Sequence, residues 1–128
     1  LRYENIRSAR AEEGIIRLCL MDPELIRSMS SLSGGQFSSP LLGKVYECLK
    51  RRFEQGLSTR LSALAAELEP EEMDHLAHVA SQPESAANSR QAMHDYITLI
   101  QSEFLRRQEG DQDEWLRQAQ QRYKEKKA

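Results

Sequence analysis

Apolar residues recur along this chain every three to four positions, and the strict alternation of a half-buried strand is missing. Val, Ile and Thr are sparse, so the pattern predicts an all-α fold. A first helix is expected over roughly residues 3–20, strongest at Ile15, Ile16, Leu18, Cys19 and Leu20. Asp22-Pro23 stops it and opens a short second helix to about Met29. Aspartate caps well there, and proline's fixed φ suits the first helical position. Leu25, Ile26 and Met29 would supply its buried side. Residues 30–39 read as a serine-rich loop around Gly34-Gly35, with Phe37 folding back as a plug. Ser39-Pro40 repeats the cap-and-proline signal ahead of the clearest stripe, Leu42, Val45, Tyr46, Leu49 and Phe53, which Gly56 closes. Ser58 or Thr59 would cap a shorter helix carrying Leu61, Leu64, Ala65 and Leu68. Pro70 starts another, with Met73, Leu76, Ala77 and Ala80 on one face, ended by Gln82-Pro83. Asn88 and Gln91 form a capping-box pattern before Met93, Tyr96, Ile97, Ile100 and Phe104. Six helices are thus expected before residue 109.

The last twenty residues differ. Asp111 and Glu114 make a second capping-box pattern directly after Gly110, which predicts a break and a fresh helix. Acidic residues (Asp111, Asp113, Glu114) gather at its start and basic ones (Arg122, Lys124, Lys126, Lys127) at its end, as the helix dipole favours. Its apolar content is only Trp115, Leu116, Ala119 and Tyr123. An isolated helix of about fifteen residues is marginal in water unless it docks on something. Trp, Tyr and Arg together are also the residue types that dominate interface hot spots. Contact with a partner is therefore the expectation, with packing on the chain's own bundle or disorder as alternatives.

Composition supports one domain: a bundle over 1–105 followed by a C-terminal segment over 106–128. A chain of 128 residues buries roughly two thirds of its unfolded surface, enough for a real core. Apolar residues at 39% and charged residues at 30% make that core thin, as suits helices with one apolar stripe each. With 18 Lys and Arg against 20 Asp and Glu, the net charge of −2 argues against a dedicated nucleic-acid binder. No run of 18 apolar residues predicts a membrane span, and no signal peptide is visible at the start. Cys19 and Cys48 fall inside apolar helical patterns and read as buried thiols rather than a disulfide or reactive pair, pointing to the cytoplasm.

Candidate chemistry is thin. His75 and His78 share a helix face with Glu72 and Asp74 nearby, but zinc wants three or four ligands. Glu69, Glu71, Glu72 and Asp74 crowd a helix start, where acidic residues stabilise. Gly34-Gly35 lacks the Lys and Ser/Thr of a phosphate loop. Lys50-Arg51-Arg52 and Arg106-Arg107 read as solvated faces. No catalytic residue, cofactor site or metal site is expected.

Several segments, in order and spacing, resemble the C-terminal helicase-binding domain of DnaG-type bacterial primases. They are residues 11–18 (Ala11-Glu12-Glu13-Gly14-Ile15-Ile16-Arg17-Leu18) with Asp22-Pro23-Glu24-Leu25, then Phe37 with Leu42, Val45, Tyr46 and Leu49 up to Gly56. Ala92-Met93-His94-Asp95-Tyr96-Ile97 with Ile100 and the closing residues 119–127 complete the likeness, which covers nearly the whole chain. The resemblance implies a helical bundle similar to the N-terminal domain of the replicative helicase, followed by a C-terminal helical hairpin or tail. It implies a non-catalytic, monomeric docking domain whose partner is the hexameric DnaB-type helicase, with RNA synthesis belonging to another part of the primase. Carried over by position, the helicase contacts fall on Phe104, Leu105, Arg106 and Arg107, and on Trp115, Leu116, Ala119, Arg122 and Tyr123. The hairpin segment here is shorter than in many members. The nearest rival is the N-terminal oligomerisation domain of a DnaB-type helicase itself. A regulatory nucleic-acid-binding helical protein would need a basic recognition helix that is not apparent.

Overall fold

The structure, a computed structural model, describes residues 2–28 and 31–127, the side chains at 111–114 and 123–127 excepted. Four α-helices and three short 3₁₀ segments follow one another, with no strand among the described residues. Helix α1 spans Ile6–Met21 and begins later than the apolar spacing suggests, because the Asn5 side chain accepts from the Ser8 N–H at 3.1 Å and caps it there. Tyr3 is left outside the helix. After Asp22, residues Pro23–Ser28 form a 3₁₀ turn rather than an α-helix, burying Leu25 and Ile26; Met29 lies outside the described residues. A second 3₁₀ turn, Gly34–Gln36, leads to α2 (Pro40–Glu54).

The end of α2 shows how sequence dictates a stop. Gly56 takes φ +72°, Leu57 N–H donates to the Arg52 carbonyl at 2.8 Å, and Gly56 N–H donates to Phe53 at 3.1 Å. This pair of hydrogen bonds around a left-handed residue is the Schellman closure, open at low cost only to glycine. The next predicted helix is a 3₁₀ segment, Leu61–Ala66, that buries Leu64. Helix α3 (Pro70–Ser81) buries Leu76 and Val79, with Met73 half-buried and Ala77 exposed, so its inner face is turned slightly from the one expected. Glu72 accepts from the Glu69 N–H at 2.9 Å and from Lys44 Nζ at 2.8 Å. Glu72 of the acidic cluster is thus engaged in capping this helix. Helix α4 spans Ser89–Lys127.

Helix α1 lies at the centre, touching α2, α3, α4 and the Pro23–Ser28 turn. Ile15, Ile16, Leu18 and Cys19 meet Leu42, Val45, Tyr46 and Leu49 of α2, with Met93 and Ile100 of α4 in the same core. Gly14 permits the closest approach: a Cβ there would sit 2.4 Å from the Tyr96 ring. Phe37 does fold back as a plug, stacking on Tyr46 with ring centroids 5.2 Å apart. Leu32, fully buried, joins it, and its carbonyl accepts the Tyr46 hydroxyl at 2.9 Å. Cys19 and Cys48 are buried free thiols, and burial pushes the Cys19 thiol up to about 12.

Two polar clusters, one buried and one half-buried, brace this core. Glu12, with no exposed surface, accepts from Ser8 Oγ (2.6 Å), Ser38 N–H (3.0 Å), Ser38 Oγ (2.6 Å) and Ser39 N–H (3.0 Å). Four donors thus converge on one carboxylate, three on Oε2 and one on Oε1. Around Arg17, Glu84 lies at 3.1 Å and Glu13 at 3.9 Å, while Tyr96 Oη donates to Glu84 at 2.9 Å. Tyr3 Oη donates to Glu13 at 2.8 Å and receives a hydrogen bond from His75 Nε2, which ties the N-terminal segment to α1 and α3.

Candidate docking surface on the last helix

Helix α4 is 39 residues long, about 58 Å at 1.5 Å per residue. The break expected at Gly110 is not there. Of the two endings, hairpin or tail, the chain takes the tail. A break would orphan several backbone groups at each new terminus, whereas glycine within a helix costs only about 1 kcal/mol relative to alanine. Nothing crowds Gly110: a Cβ there would meet no atom within 4 Å.

The two halves of α4 live in different surroundings. Met93 and Ile100 are buried, and Tyr96, Ile97 and Phe104 half-buried, against α1 and the Gly34–Gln36 turn. That inner face continues into polar residues. Glu103 is only 5% exposed, with Arg106 on its carboxylate, Arg7 at 3.6 Å and Asn5 at 3.4 Å. Desolvation would raise the Glu103 carboxyl, but the Asn5 hydrogen bond and the two guanidinium charges outweigh it and hold the group below its ordinary value. Gln101 Nε2 reaches the Ser31 carbonyl at 3.1 Å, and Arg107 Nη2 reaches the Gln36 carbonyl at 3.1 Å. The Arg107 guanidinium also lies over the Phe104 ring, 5.8 Å from its centroid.

Beyond Arg107 the helix leaves the bundle. From Gln108 to Arg122, every residue whose side chain is described is exposed except Ala119, which is half-buried. Trp115 is 64% exposed and Leu116 50%, and Leu105, at the root of this arm, is 57% exposed. They are exposed because the helix outruns the bundle. Counting about 100° per residue from Ile100, Trp115 falls on the side of α4 that carries Ile97, whereas Leu105, Leu116 and Ala119 fall about 100–160° away. Trp115 lies about 22 Å further along the axis than Ile100, past the elements that cover the first half.

The sequence-predicted site residues divide accordingly. Phe104 and Arg107 belong to the root, half-buried against the bundle, while Leu105 and Arg106 are exposed beside them. Trp115, Leu116, Ala119 and Arg122 lie on the arm. The Tyr123 side chain lies outside the described residues. Sequence reasoning missed Glu103 as the anchor of Arg7 and Arg106; its place three residues after Ile100, on the buried stripe, was the available signal. The two histidines do not converge on a common centre: His75 bonds to Tyr3, and His78 is exposed. Compared with family models, curated proteins and solved structures, the chain finds no match. No helix of the described residues is long and apolar enough to cross a membrane.

Proposed function

We propose that this chain is a non-catalytic docking domain whose last helix holds a parent DNA primase on the hexameric, DnaB-type replicative helicase. The observation that carries the docking part is the exposure of Trp115 and Leu116 on the stretch of α4 that runs past the chain's own bundle. Exposed tryptophan on a helix of otherwise polar character leaves a large apolar area in water, and an amphipathic helix gains by laying it into a groove of another protein. The resemblance to primase helicase-binding domains supplies the identity of that protein.

On this reading the bundle is a rigid base and the arm is the contact. Roughly 20 residues beyond Arg107 reach about 30 Å, enough to cross a small partner domain. Binding acts by tethering. A primase held at the helicase meets the emerging single strand at a high effective concentration, with no chemistry required of this segment. The domain works as a monomer presenting one arm to one helicase subunit.

Co-purification with the replicative helicase of the same source tests the reading. The intact chain should retain the helicase, and a chain ending at Glu109 should lose it while keeping its folded bundle by near-ultraviolet circular dichroism. Retention by the shortened chain would remove the arm from the interface.

A further inference from the structure

At the root of the arm, between the N-terminal segment, the Gly34–Gln36 turn and α4, lies an open cleft of about 620 Å³. Glu4, Ile6, Phe37, Phe104, Arg106 and Arg107 contribute to its lining. Its chemistry is unusual for this molecule. The Arg107 guanidinium is fixed from two sides, by the Gln36 carbonyl on Nη2 and by the Phe104 ring beneath its plane. Its other terminal nitrogen, Nη1, is buried and meets no acceptor, alone among the buried side-chain polar atoms of the described residues. Buried polar groups are nearly always satisfied, so a held guanidinium that lines the cleft, with one unsatisfied nitrogen just beneath the wall, favours an oxyanion that a small shift of the wall would admit. Arg106 lines the same cleft, and Ile6, 61% exposed, gives it an apolar lip.

We propose that this cleft receives an acidic side chain of the docked protein, its carboxylate on Arg107 and a neighbouring aliphatic residue on Ile6 and Phe104. The proposal rests on the reading that α4 docks a protein, and adds what that protein must present. A peptide carboxylate suits the site better than a nucleic-acid phosphate chain. Glu4 lines the cleft and Glu103 lies behind it, so a run of phosphates would meet two negative charges, whereas a single carboxylate faces Arg107 and Arg106. The apolar lip also matches an aliphatic side chain. Because the guanidinium is already held, little rotamer freedom remains to be lost on binding, which favours a geometric reader of carboxylates over a diffuse positive patch.

The test needs no helicase, so it can fail independently of the proposed function. The ¹⁵N-labelled chain is titrated to tens of millimolar with the capped dipeptide acetyl-Leu-Asp-amide, with acetyl-Leu-Asn-amide, and with a short oligothymidylate, while the Arg107 Nε–H and the Ile6 and Phe37 amides are followed. The aspartyl peptide should shift all three signals saturably, and the asparaginyl peptide should shift them little. Equal response to both peptides, no saturable response to either, or preference for the oligonucleotide would each overturn the proposal. So would signals that already move with chain concentration alone, since the cleft would then be filled by a second copy. In the helicase complex, Arg107→Gln should weaken binding about tenfold and Arg107→Lys less, because lysine keeps the charge without the planar fork. An Arg107→Gln complex as tight as the parent would also overturn it. Should Arg107→Gln fail to fold, the wild-type titration decides alone.

Discussion

Replacing Glu12 by glutamine keeps the shape of the side chain and reverses the polarity of one of its two ends. Oε2 accepts from Ser8 Oγ, Ser38 N–H and Ser38 Oγ, and Oε1 accepts from Ser39 N–H. The two serine hydroxyls can turn to accept from an amide NH₂; the two backbone N–H groups cannot. With the amide oxygen on the Oε2 side, Ser39 N–H faces another donor. With it on the Oε1 side, Ser38 N–H does. Either way one buried backbone donor is orphaned, at a cost of about 1–3 kcal/mol. The surviving bonds also lose their charge-assisted strength, roughly half of it, and the positive end of α2 loses its anion. A neutral amide is cheaper to bury, which offsets part of the loss. The expected net destabilisation is about 2–3 kcal/mol, against a total stability of about 5–15 kcal/mol for a domain of this kind. Urea unfolding should show a lower midpoint with an unchanged slope, because the surface exposed on unfolding is the same. Amide hydrogen exchange should quicken first at Ser38 and Ser39. Glu71→Gln, on an exposed position of α3, should lie within about 0.5 kcal/mol of the parent. Parent-like stability in Glu12→Gln, with unchanged exchange at both serines, would refute the claim that this carboxylate fastens the loop to α1.

Two further predictions address the arm and the acid behaviour. Gly110→Ala should deepen the helical circular-dichroism signal and slow exchange around residue 110, by an amount equivalent to about 1 kcal/mol; a loss of helicity would mean that the chain turns there. Burial lowers the His75 pKa below its ordinary 6.5 despite the opposing Glu13 charge, so the unfolded chain takes up that proton first as pH falls. The contribution of neutral His75 is complete above 6.5 and is lost as pH falls through the lowered value, ahead of the carboxylates, whose ordinary value is 4.5. Urea midpoints measured between those limits should therefore decline with falling pH in the parent chain and decline less in His75→Gln; parallel slopes would contradict the assignment.

The helices that pack were legible because their apolar residues repeat at helical spacing and their ends carry caps. Ser39-Pro40 and Gly56 bracket α2 as read, and the Phe37 plug follows from a large aromatic in an otherwise small-residue loop. The short segments were readable as turns of helix but not as 3₁₀. Six residues at Pro23–Ser28 and six at Leu61–Ala66 are too few for the i→i−4 ladder to outcompete tighter bonding. At Asn88 the capping-box pattern gave the right start for α4 by a different local arrangement. Asn88 sits at φ 54°, and Gln91 donates instead to Asp95 at 2.9 Å. Asp111 and Glu114 misled in the other direction, since residues that begin a helix also sit comfortably within one when no competing contact pulls the chain round. Glu12 and Glu103 were hidden for a shared reason. Each occupies a buried stripe where periodicity counts only apolar residues, four before Ile16 and three after Ile100, and a burial partner distant in sequence cannot be seen from spacing alone.

Trp115 is the sole tryptophan of the chain, so its fluorescence reports on the arm without labelling. In the free protein its emission should be that of a water-exposed indole, open to acrylamide quenching. Addition of the helicase N-terminal domain, with its own tryptophans replaced, should shift that emission to the blue and shield it from the quencher. Emission already blue and shielded in the free chain, or a complex that forms with no change in it, would contradict the account.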